Sequence, residues 1–234
     1  MFSRGQIPSC LPSWEWAGWL RRNTRKILRD STKQGQPTVR LVRLAQDRLG
    51  VVKEYLDQPE WFRSTAGRFI MGREAAAYRR LEGCRGVVGL LGQPTPDSLL
   101  LEYVEGVPVC RLKPGELPAA ALEQMQDILE AMHARGVVHC DLGHDSNGDF
   151  GRDTNLIWSR DGRLYVIDFA GALLGKPPTA AGTSLYQAML MHDRLVLTKL
   201  VTRFFPDLRD TDHHRFPSQI PPWAWRMFRF FKKL

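Results

Sequence analysis

Two neighbouring stretches of sequence decide the fold of this chain. The first reads Val-Val-His-Cys-Asp-Leu at 137–142, and the second reads Asn-Leu-Ile-Trp-Ser-Arg-Asp-Gly-Arg-Leu-Tyr-Val-Ile-Asp-Phe-Ala-Gly-Ala at 155–172. An Asp-Gly pair inside the second stretch separates two apolar runs, which predicts a β-hairpin. Together the stretches supply Asp141, Asn155 and Asp168, three side chains of the types that phosphoryl transfer needs close together.

Length, composition and charge predict a globular protein. A chain of 234 residues that is 43% hydrophobic can bury a substantial core, and it suits one bilobal domain or two small ones. The net charge of +8 and the pI of about 9.6 favour partners that carry phosphate, whether nucleotides, nucleic acid or anionic lipid. Nucleic-acid binding rests on charge alone, so we do not favour it.

The cysteines and the apolar runs bear on the compartment. The four cysteines are far apart and form no Cys-x-x-Cys pair, so neither a disulfide framework nor a zinc site is predicted. The first residues lack the continuous apolar core of a signal peptide, and no run approaches the roughly 20 apolar residues of a membrane span. We expect a cytoplasmic protein, with peripheral attachment to the inner membrane as a further expectation.

Both ends of the chain are basic and rich in aromatic residues. Residues 11–29 combine three tryptophans with five basic side chains and predict a helix. Such a helix either lies on anionic lipid or packs its apolar stripe on its own domain. The run at 30–37 is turn chemistry and a plausible boundary. The tail at 221–234 has the pattern of an interfacial helix, and packing on the rest of the chain or on a partner is the alternative.

A lysine stands inside a predicted β-hairpin. Apolar residues alternate over 38–45, a second strand follows at 49–55, and the period of two places Val51 and Lys53 on the same face. An edge-strand charge is one explanation for this lysine. The other is a lysine that reaches nucleotide phosphates from a sheet covering an adenine site.

Glu74 is the carboxylate placed to meet that lysine. It lies in a helix predicted at 67–81, whereas Glu82 at the helix end is the weaker candidate. Strands are predicted at 87–91 and 98–104. At the end of the second strand, the backbone carbonyl of Glu102 and the backbone N–H of Val104 can meet the edge of a purine. A further helix at 118–136 presents core residues at helical spacing.

Five ordered elements carry a resemblance to a known family. His139-Cys140-Asp141-Leu142 resembles the catalytic-loop signature of protein-kinase-like phosphotransferases, with Asn155 as the loop asparagine and Asp168-Phe169-Ala170 as the metal-binding turn. Lys53, Glu74 and the run at 101–106 fall in the same order, so the match covers roughly residues 38–205. The resemblance implies an α+β, bilobal fold, with a small antiparallel β-sheet N-lobe carrying one helix and a shortened, mainly helical C-lobe.

The resemblance also implies cofactors and roles. The cofactors are ATP and Mg²⁺ (or Mn²⁺). Lys53, fixed by Glu74, would hold phosphates, and Asp141 would orient or deprotonate the attacking hydroxyl. Asn155 and Asp168 would bind the metal. The candidate nucleotide contacts are Lys53, Val51, Glu102 and Val104. The divisions expected on this basis are a basic aromatic N-terminal segment at 1–34, an N-lobe at 35–105, a C-lobe at 106–215 and a basic amphipathic tail at 216–234.

The sequence departs from the family pattern in four places. Thirteen residues, 142–154, stand where four are usual, and Asn147 in this insert competes with Asn155. The insert also contains Asp-Phe-Gly at 149–151, which lies too close to Asp141 to be the metal turn. No Gly-x-Gly-x-x-Gly precedes Lys53, so the phosphate cover must be short or built differently. No Ala-Pro-Glu follows the metal turn, and the C-terminal half is too short for a peptide-docking lobe.

This truncation indicates particular relatives. The chain looks like the compact bacterial kinases grouped with lipopolysaccharide-core (heptose and Kdo) kinases and RIO-type atypical protein kinases. We expect phosphorylation of a lipid-linked sugar, such as a lipopolysaccharide core intermediate, beside an anionic membrane surface. A RIO-like protein serine/threonine kinase is the first alternative, and a nucleotide-binding pseudokinase or membrane scaffold is the second. Asp193 either braces the catalytic loop or is an ordinary acidic residue at a helix N-terminus.

Overall fold

The computed structural model describes residues 11–31, 33, 35–142, 154–175 and 184–208, without the side chains of 184 and 185. The insert at 143–153, with Asn147 and the Asp-Phe-Gly run, lies outside the described residues, as does the tail at 216–234. The chain divides into two compact units. The first ends at Gly83 and adds Val88–Val104, and the second contains Cys84–Val87 and the chain from Glu105 onward.

The first unit is built on a five-stranded antiparallel sheet with the order β1-β2-β3-β5-β4. Its strands are β1 (Thr24–Arg29), β2 (Thr38–Arg43), β3 (Leu49–Glu54), β4 (Leu90–Gly92) and β5 (Ser98–Glu102). A 3-10 turn at Ala45–Asp47 joins β2 to β3, which confirms the predicted hairpin. The strand pair predicted at 87–91 and 98–104 is confirmed as β4 and β5, although β4 begins only at Leu90.

The predicted helix over 11–29 is wrong in its second half. Helix α1 (Ser13–Asn23) ends at Asn23, and the next six residues form β1, which pairs with β2. Pairing along a whole strand outweighs the moderate helix propensity of this basic segment. On its inner side, α1 packs on its own unit. Trp16 and Leu20 are buried in one cluster with Val42, Val52 and Leu100 of the sheet.

Helices complete both units, and most predicted positions are confirmed. The remaining helices are α2 (Glu60–Phe62), α3 (Arg68–Arg80), α4 (Ala120–Ala134) and α5 (Ser184–Phe204), with a π-helical turn at Arg63–Gly67 and 3-10 turns at Val109–Arg111 and Pro206–Leu208. Helices α3 and α4 agree with the segments predicted at 67–81 and 118–136. In the part of the chain that the structure describes, no helix is long and apolar enough to cross a membrane.

The second unit places two small sheets beside α4 and α5. Its strands are β6 (Gly106–Pro108), β7 (Val137–Val138), β8 (Leu156–Ser159), β9 (Leu164–Val166) and β10 (Leu173–Leu174). Strands β8 and β9 form the predicted hairpin, β6 pairs with β8, and β7 pairs with β10. Gly106 is required at the β6–β8 contact, because a Cβ there would lie 2.4 Å from the carbonyl oxygen of Trp158.

Candidate active site

Lys53 and Glu74 form a buried ion pair in the first unit. The Nζ atom of Lys53 lies 3.0 Å from Oε1 and 2.8 Å from Oε2 of Glu74. Lys53 is 5% exposed and Glu74 is fully buried. Strand β3 lies between β2 and β5, so the edge-strand explanation for this lysine is wrong. The contact predicted from the sequence is present. Because both charges are buried, removing either one would leave the other without a compensating charge.

The other nucleotide candidates of the first unit lie on β3 and at the end of β5. Val51 precedes Lys53 by two positions on β3, is partly buried, and pairs with Leu101 of β5. The side chain of Glu102 folds back toward the residue that precedes β4, where Oε2 accepts a hydrogen bond from the N–H of Gly89 at 3.2 Å. The purine-binding roles of the Glu102 carbonyl and the Val104 N–H stay predictions.

Sequence reasoning predicted a turn at 30–37 but missed that it is the loop that joins β1 to β2. Its described residues are Asp30, Ser31, Lys33, Gly35, Gln36 and Pro37. The loop is followed by Thr38 and Val39, whose partners on β3 are Glu54 and Lys53. It therefore leaves the sheet at the end where Lys53 lies. The signal that could have found it is the apolar pair at 27–28, followed by a glycine-containing turn and an alternating strand.

In the second unit, the ring of His139 organises the predicted catalytic loop. His139 is fully buried, and its Nε2 lies 2.9 Å from the carbonyl oxygen of Ile167. Its Nδ1 accepts a hydrogen bond from the N–H of Asp141 at 3.2 Å. Because a carbonyl can only accept, Nε2 must donate, which selects the neutral Nε2–H tautomer. The ring also packs on Phe169, with 4.7 Å between ring centroids. One side chain thus ties Asp141 to the residues around Asp168.

Asp193 braces the same loop from α5. Its carboxylate is fully buried and accepts hydrogen bonds from the backbone N–H groups of His139 at 2.7 Å and Cys140 at 2.8 Å. It also lies 3.1 Å from Nε2 of His133 on α4. Helix α5 begins at Ser184, nine positions earlier, so Asp193 is not an acidic residue at a helix N-terminus. The bracing alternative is the one that the contacts support.

Asn155 is fixed beside Asp141 despite the insert that separates them. Its Nδ2 donates to the carbonyl oxygen of Asp141 at 2.7 Å. This bond assigns the amide orientation, because only the nitrogen can donate, and it keeps Oδ1 as the acceptor atom. The carbonyl oxygen of Asn155 accepts from the N–H of Ile167 at 3.0 Å, which ties the start of β8 to the residue before Asp168.

The donor set fits a magnesium ion. Asn155 and Asp168 offer amide and carboxylate oxygens, and Mg²⁺ is usually held by one or two carboxylates, substrate phosphates and water. Within the described ranges, no group of three or more His, Cys, Asp or Glu side chains could hold a metal by itself. How Asp168 and Asn155 would act on that ion stays a prediction.

Among the described residues of this unit, two that are not glycine have left-handed backbone. Cys140 has φ of 64° and Asp168 has φ of 63°, a region that residues with a side chain rarely adopt. Such conformations cost free energy and persist where the surrounding contacts over-determine them. The bonds from Asp193 to the 139–140 backbone provide this support for Cys140. Both strained positions adjoin or belong to the predicted catalytic residues.

Comparison with solved structures identifies the fold. Two crystal structures of Rio2 kinase from Chaetomium thermophilum, one with ADP, Mg²⁺ and phosphoaspartate, each match with a TM-score of 0.57. Their identity to this chain is 11% and 12%, over 92% of it. The kinase PK-1 of the Cydia pomonella granulovirus matches with a TM-score of 0.52 at 18% identity, over 93% of this chain and 79% of its own. The chain has a protein-kinase-like fold.

This fold accounts for the order of the predicted site residues. In protein kinases, a lysine on the third strand pairs with a glutamate on the following helix, and a loop before that strand covers the phosphates. Here β3 carries Lys53 and α3 carries Glu74. The chain covers 64% and 66% of the two Rio2 chains. No protein-family model and no curated protein sequence matches it.

Proposed function

We propose that this protein is an ATP- and Mg²⁺-dependent phosphotransferase with an alcohol group as acceptor. The buried Lys53–Glu74 ion pair carries this proposal. Burying two charges has a desolvation cost that often exceeds their attraction, so such a pair is weak support for a purely structural role. A lysine that holds phosphates, in contrast, requires the ion pair, because the glutamate fixes the position of its ammonium group. The kinase-like fold and the constellation of Asp141, Asn155 and Asp168 in the second unit support the same chemistry.

Each residue has a distinct task in this proposal. Lys53 holds the phosphates of ATP, and Glu74 fixes its ammonium group. Asp141 orients the acceptor hydroxyl and accepts its proton. Asn155 and Asp168 hold Mg²⁺, which neutralises charge that develops on the transferred phosphoryl group.

The nucleotide base and the phosphates need further contacts. Val51 lies on the face of β3 that carries Lys53, and it is the candidate apolar contact for the base. The carbonyl of Glu102 and the N–H of Val104 are the candidate purine contacts. The β1–β2 loop is the candidate phosphate cover, because it leaves the sheet at the end where Lys53 lies.

For the acceptor, we propose a lipid-linked sugar, such as a lipopolysaccharide core intermediate, at an anionic membrane surface. The outer side of α1 supports this choice. Trp14 is 72% exposed, and with Arg21, Arg22 and Glu15 it lines a surface cavity of about 360 Å³. Exposed Ile27 and Leu28 follow among basic residues of β1. Tryptophan beside arginine is the composition of interfacial surfaces, which would hold the enzyme beside a negatively charged substrate.

A RIO-like protein serine/threonine kinase is the second candidate, favoured by the similarity to Rio2 kinase. The experiment incubates the purified chain and Mg²⁺ with ATP labelled at the γ-phosphate, plus either core lipid or generic protein acceptors. Label on the lipid is the expected result, and Asp141→Asn should abolish it. Label on protein alone would replace the lipid proposal with the RIO-like one. A hydroxylamine wash then identifies the kind of label on the protein. It removes phosphate from an aspartyl phosphate but not from a phosphorylated hydroxyl.

A nucleotide-binding pseudokinase or membrane scaffold is the remaining alternative. No turnover with Mg²⁺ or Mn²⁺ on any acceptor would establish it, provided that ATP still binds. Membrane attachment is tested separately by sedimentation with vesicles of anionic or neutral phospholipid. Attachment to anionic vesicles that weakens in Trp14→Ala and Arg21→Glu supports the surface on α1, and equal sedimentation with neutral vesicles contradicts it.

A further inference from the structure

One buried glutamine holds most of the described residues of the β1–β2 loop. Gln58 follows β3 by four positions and is 8% exposed. Its Oε1 accepts a hydrogen bond from the N–H of Gly35 at 3.1 Å. Its Nε2 lies within hydrogen-bond distance of three acceptors, the hydroxyl of Ser31 and the carbonyl oxygens of Lys33 at 3.2 Å and Gln36 at 3.3 Å, which share its two hydrogens. A single side chain thus contacts four residues of the loop.

The geometry of the loop depends on these bonds. The amide orientation is fixed, because the carbonyl oxygens of Lys33 and Gln36 can accept only from Nε2. Gly35 has φ of 81°, a left-handed conformation that favours glycine. Gln36 closes a turn by donating its N–H to the carbonyl oxygen of Lys33 at 3.1 Å. Residues that bond through their backbones in this way cannot rearrange singly, so the amide of Gln58 determines the conformation of the loop.

The segment that carries Gln58 also holds the base of β2. The hydroxyl of Thr38 donates to Oδ2 of Asp57 at 3.0 Å. Arg40 bonds both Asp57, at 3.1 Å, and Oε1 of Glu54, at 2.9 Å. The partner of Thr38 on β3 is Glu54, next to Lys53. The same short connector thus fixes the position of the loop relative to the lysine proposed to hold phosphates.

We propose that Gln58 is a positioning residue, which holds the β1–β2 loop in the conformation that covers the nucleotide phosphates. The role of the loop rests on the proposed function. The hydrogen bonds by which Gln58 holds the loop, called the clamp below, do not rest on it. A glycine-rich phosphate loop relies on bare backbone, but this loop has one described glycine and is ordered from outside by a side chain. Lys33 is exposed on this loop and offers a cation to a phosphate.

The nucleotide arm of the test separates a phosphate cover from general stability. Wild type, Gln58→Ala and Gln58→Glu are titrated with MgATP and with adenosine. A loop that spends a tenth of the time in the competent conformation weakens MgATP binding about tenfold. Adenosine has no phosphate, so its affinity should stay within about twofold. Gln58→Glu keeps the acceptor for Gly35 but turns a carboxylate toward two carbonyl oxygens, so it should weaken MgATP binding at least as much.

Gln93→Ala is the matched control, since Gln93 contacts Arg79 and Pro96 of the same unit rather than the loop. It should change neither affinity. If MgATP and adenosine lose affinity together in Gln58→Ala, or if neither changes, the proposal is overturned.

A proteolysis arm needs no nucleotide and tests the clamp alone. A protease that cleaves on the amino side of lysine is added to the folded proteins, and cleavage before Lys33 is compared with cleavage before Lys113, which is exposed in the second unit. Gln58→Ala should raise the ratio about tenfold, because cleavage follows the population of the open loop. An unchanged ratio would refute the clamp. Faster cleavage in a protein that binds no ATP would instead leave the clamp in place and refute the proposed function.

Discussion

Asp193 accepts a hydrogen bond from the backbone N–H of His139 at 2.7 Å, although 54 positions separate the two residues. The next N–H, that of Cys140, bonds the other carboxylate oxygen at 2.8 Å. Both oxygens of one buried carboxylate therefore hold the backbone that leads into Asp141. Since Cys140 has left-handed backbone, this anion compensates for a conformation that the chain would not adopt alone.

Asp193→Asn should damage both stability and turnover. An amide can accept from only one of the two N–H groups, and its own NH₂ then meets the other. We expect a loss of about 2 kcal/mol in unfolding free energy, because a buried donor is left without its charged acceptor. We also expect kcat to fall at least about tenfold with little change in KM for ATP, because the loop at Asp141 loosens while Lys53 is untouched. Urea unfolding and steady-state kinetics measure both effects.

Asp207→Asn is the matched control, because Asp207 is an exposed aspartate beyond the end of α5. It should leave both measurements unchanged. If Asp193→Asn lowers the unfolding free energy by the expected amount but leaves kcat unaltered, Asp193 supports the fold and does not position the loop.

Variants of the Lys53–Glu74 pair should affect stability and activity differently. Lys53→Met leaves a buried carboxylate without its cation, which typically costs about 3 kcal/mol. The double variant Lys53→Met with Glu74→Leu removes both charges and should recover most of that loss, while remaining inactive. Thermal unfolding and ATP turnover on the single and double variants form the cycle.

The pair of Arg43 and Asp47 is the comparison, since both side chains are substantially exposed and the pair is solvated. Arg43→Met should leave the unfolding midpoint and turnover unchanged. If stability losses at Lys53 and Glu74 simply add, the two charges do not depend on each other, and the argument from their burial fails.

The sequence predicted the contacts that follow from local periods. Strand alternation and one helix placed Lys53 and Glu74, and an Asp-Gly turn placed the hairpin between Asn155 and Asp168. Strand β1 was missed because its basic and apolar residues continue the pattern of α1. What makes it a strand is pairing with β2, an interaction that no local propensity encodes.

The contacts of Gln58 and Asp193 lie further beyond sequence reasoning. Gln58 reaches a loop more than twenty positions away, and Asp193 reaches backbone more than fifty positions away. Both bind mainly backbone atoms, which every residue type offers, so no partner side chain indicates them. Polar side chains that bind backbone across a fold leave no spacing or motif in the sequence.

The choice between Asn155 and Asn147 as the metal ligand is testable, because the two assignments predict different metal dependence of the variants. Asn155 is held by the carbonyl of Asp141, whereas Asn147 lies outside the described residues. Asn155→Ala should raise the Mg²⁺ concentration for half-maximal turnover at least about tenfold, because one oxygen ligand is lost. Asn147→Ala is the matched control and should leave it unchanged. Turnover is measured as a function of Mg²⁺ and Mn²⁺ concentration for both variants. If Asn147→Ala raises the required metal concentration and Asn155→Ala does not, the ligand role belongs to Asn147 in the insert.

Glu54 should give the protein a measurable pH dependence of stability. Burial raises the pKa of this carboxyl above its ordinary value of 4.5, and this effect outweighs the bonds from the Leu56 N–H and Arg40, which lower the pKa. The folded protein therefore holds a proton that the unfolded chain releases at lower pH. The stabilisation from this carboxyl is fully present below about pH 4.5 and is lost as the pH rises through the pKa of the folded state.

Glu54→Gln does not titrate, so the wild-type advantage in unfolding free energy over this variant should shrink as the pH rises from about 4 toward 7. Urea unfolding at several pH values measures the difference. Glu60→Gln, at an exposed site, should give a difference that is flat with pH. A wild-type advantage over Glu54→Gln that grows with pH would mean that the Arg40 pairing dominates over burial. The connector between β3 and α2 would then be held by charge attraction, and breaking the pair with Arg40→Met should be costlier at pH 7 than at pH 4.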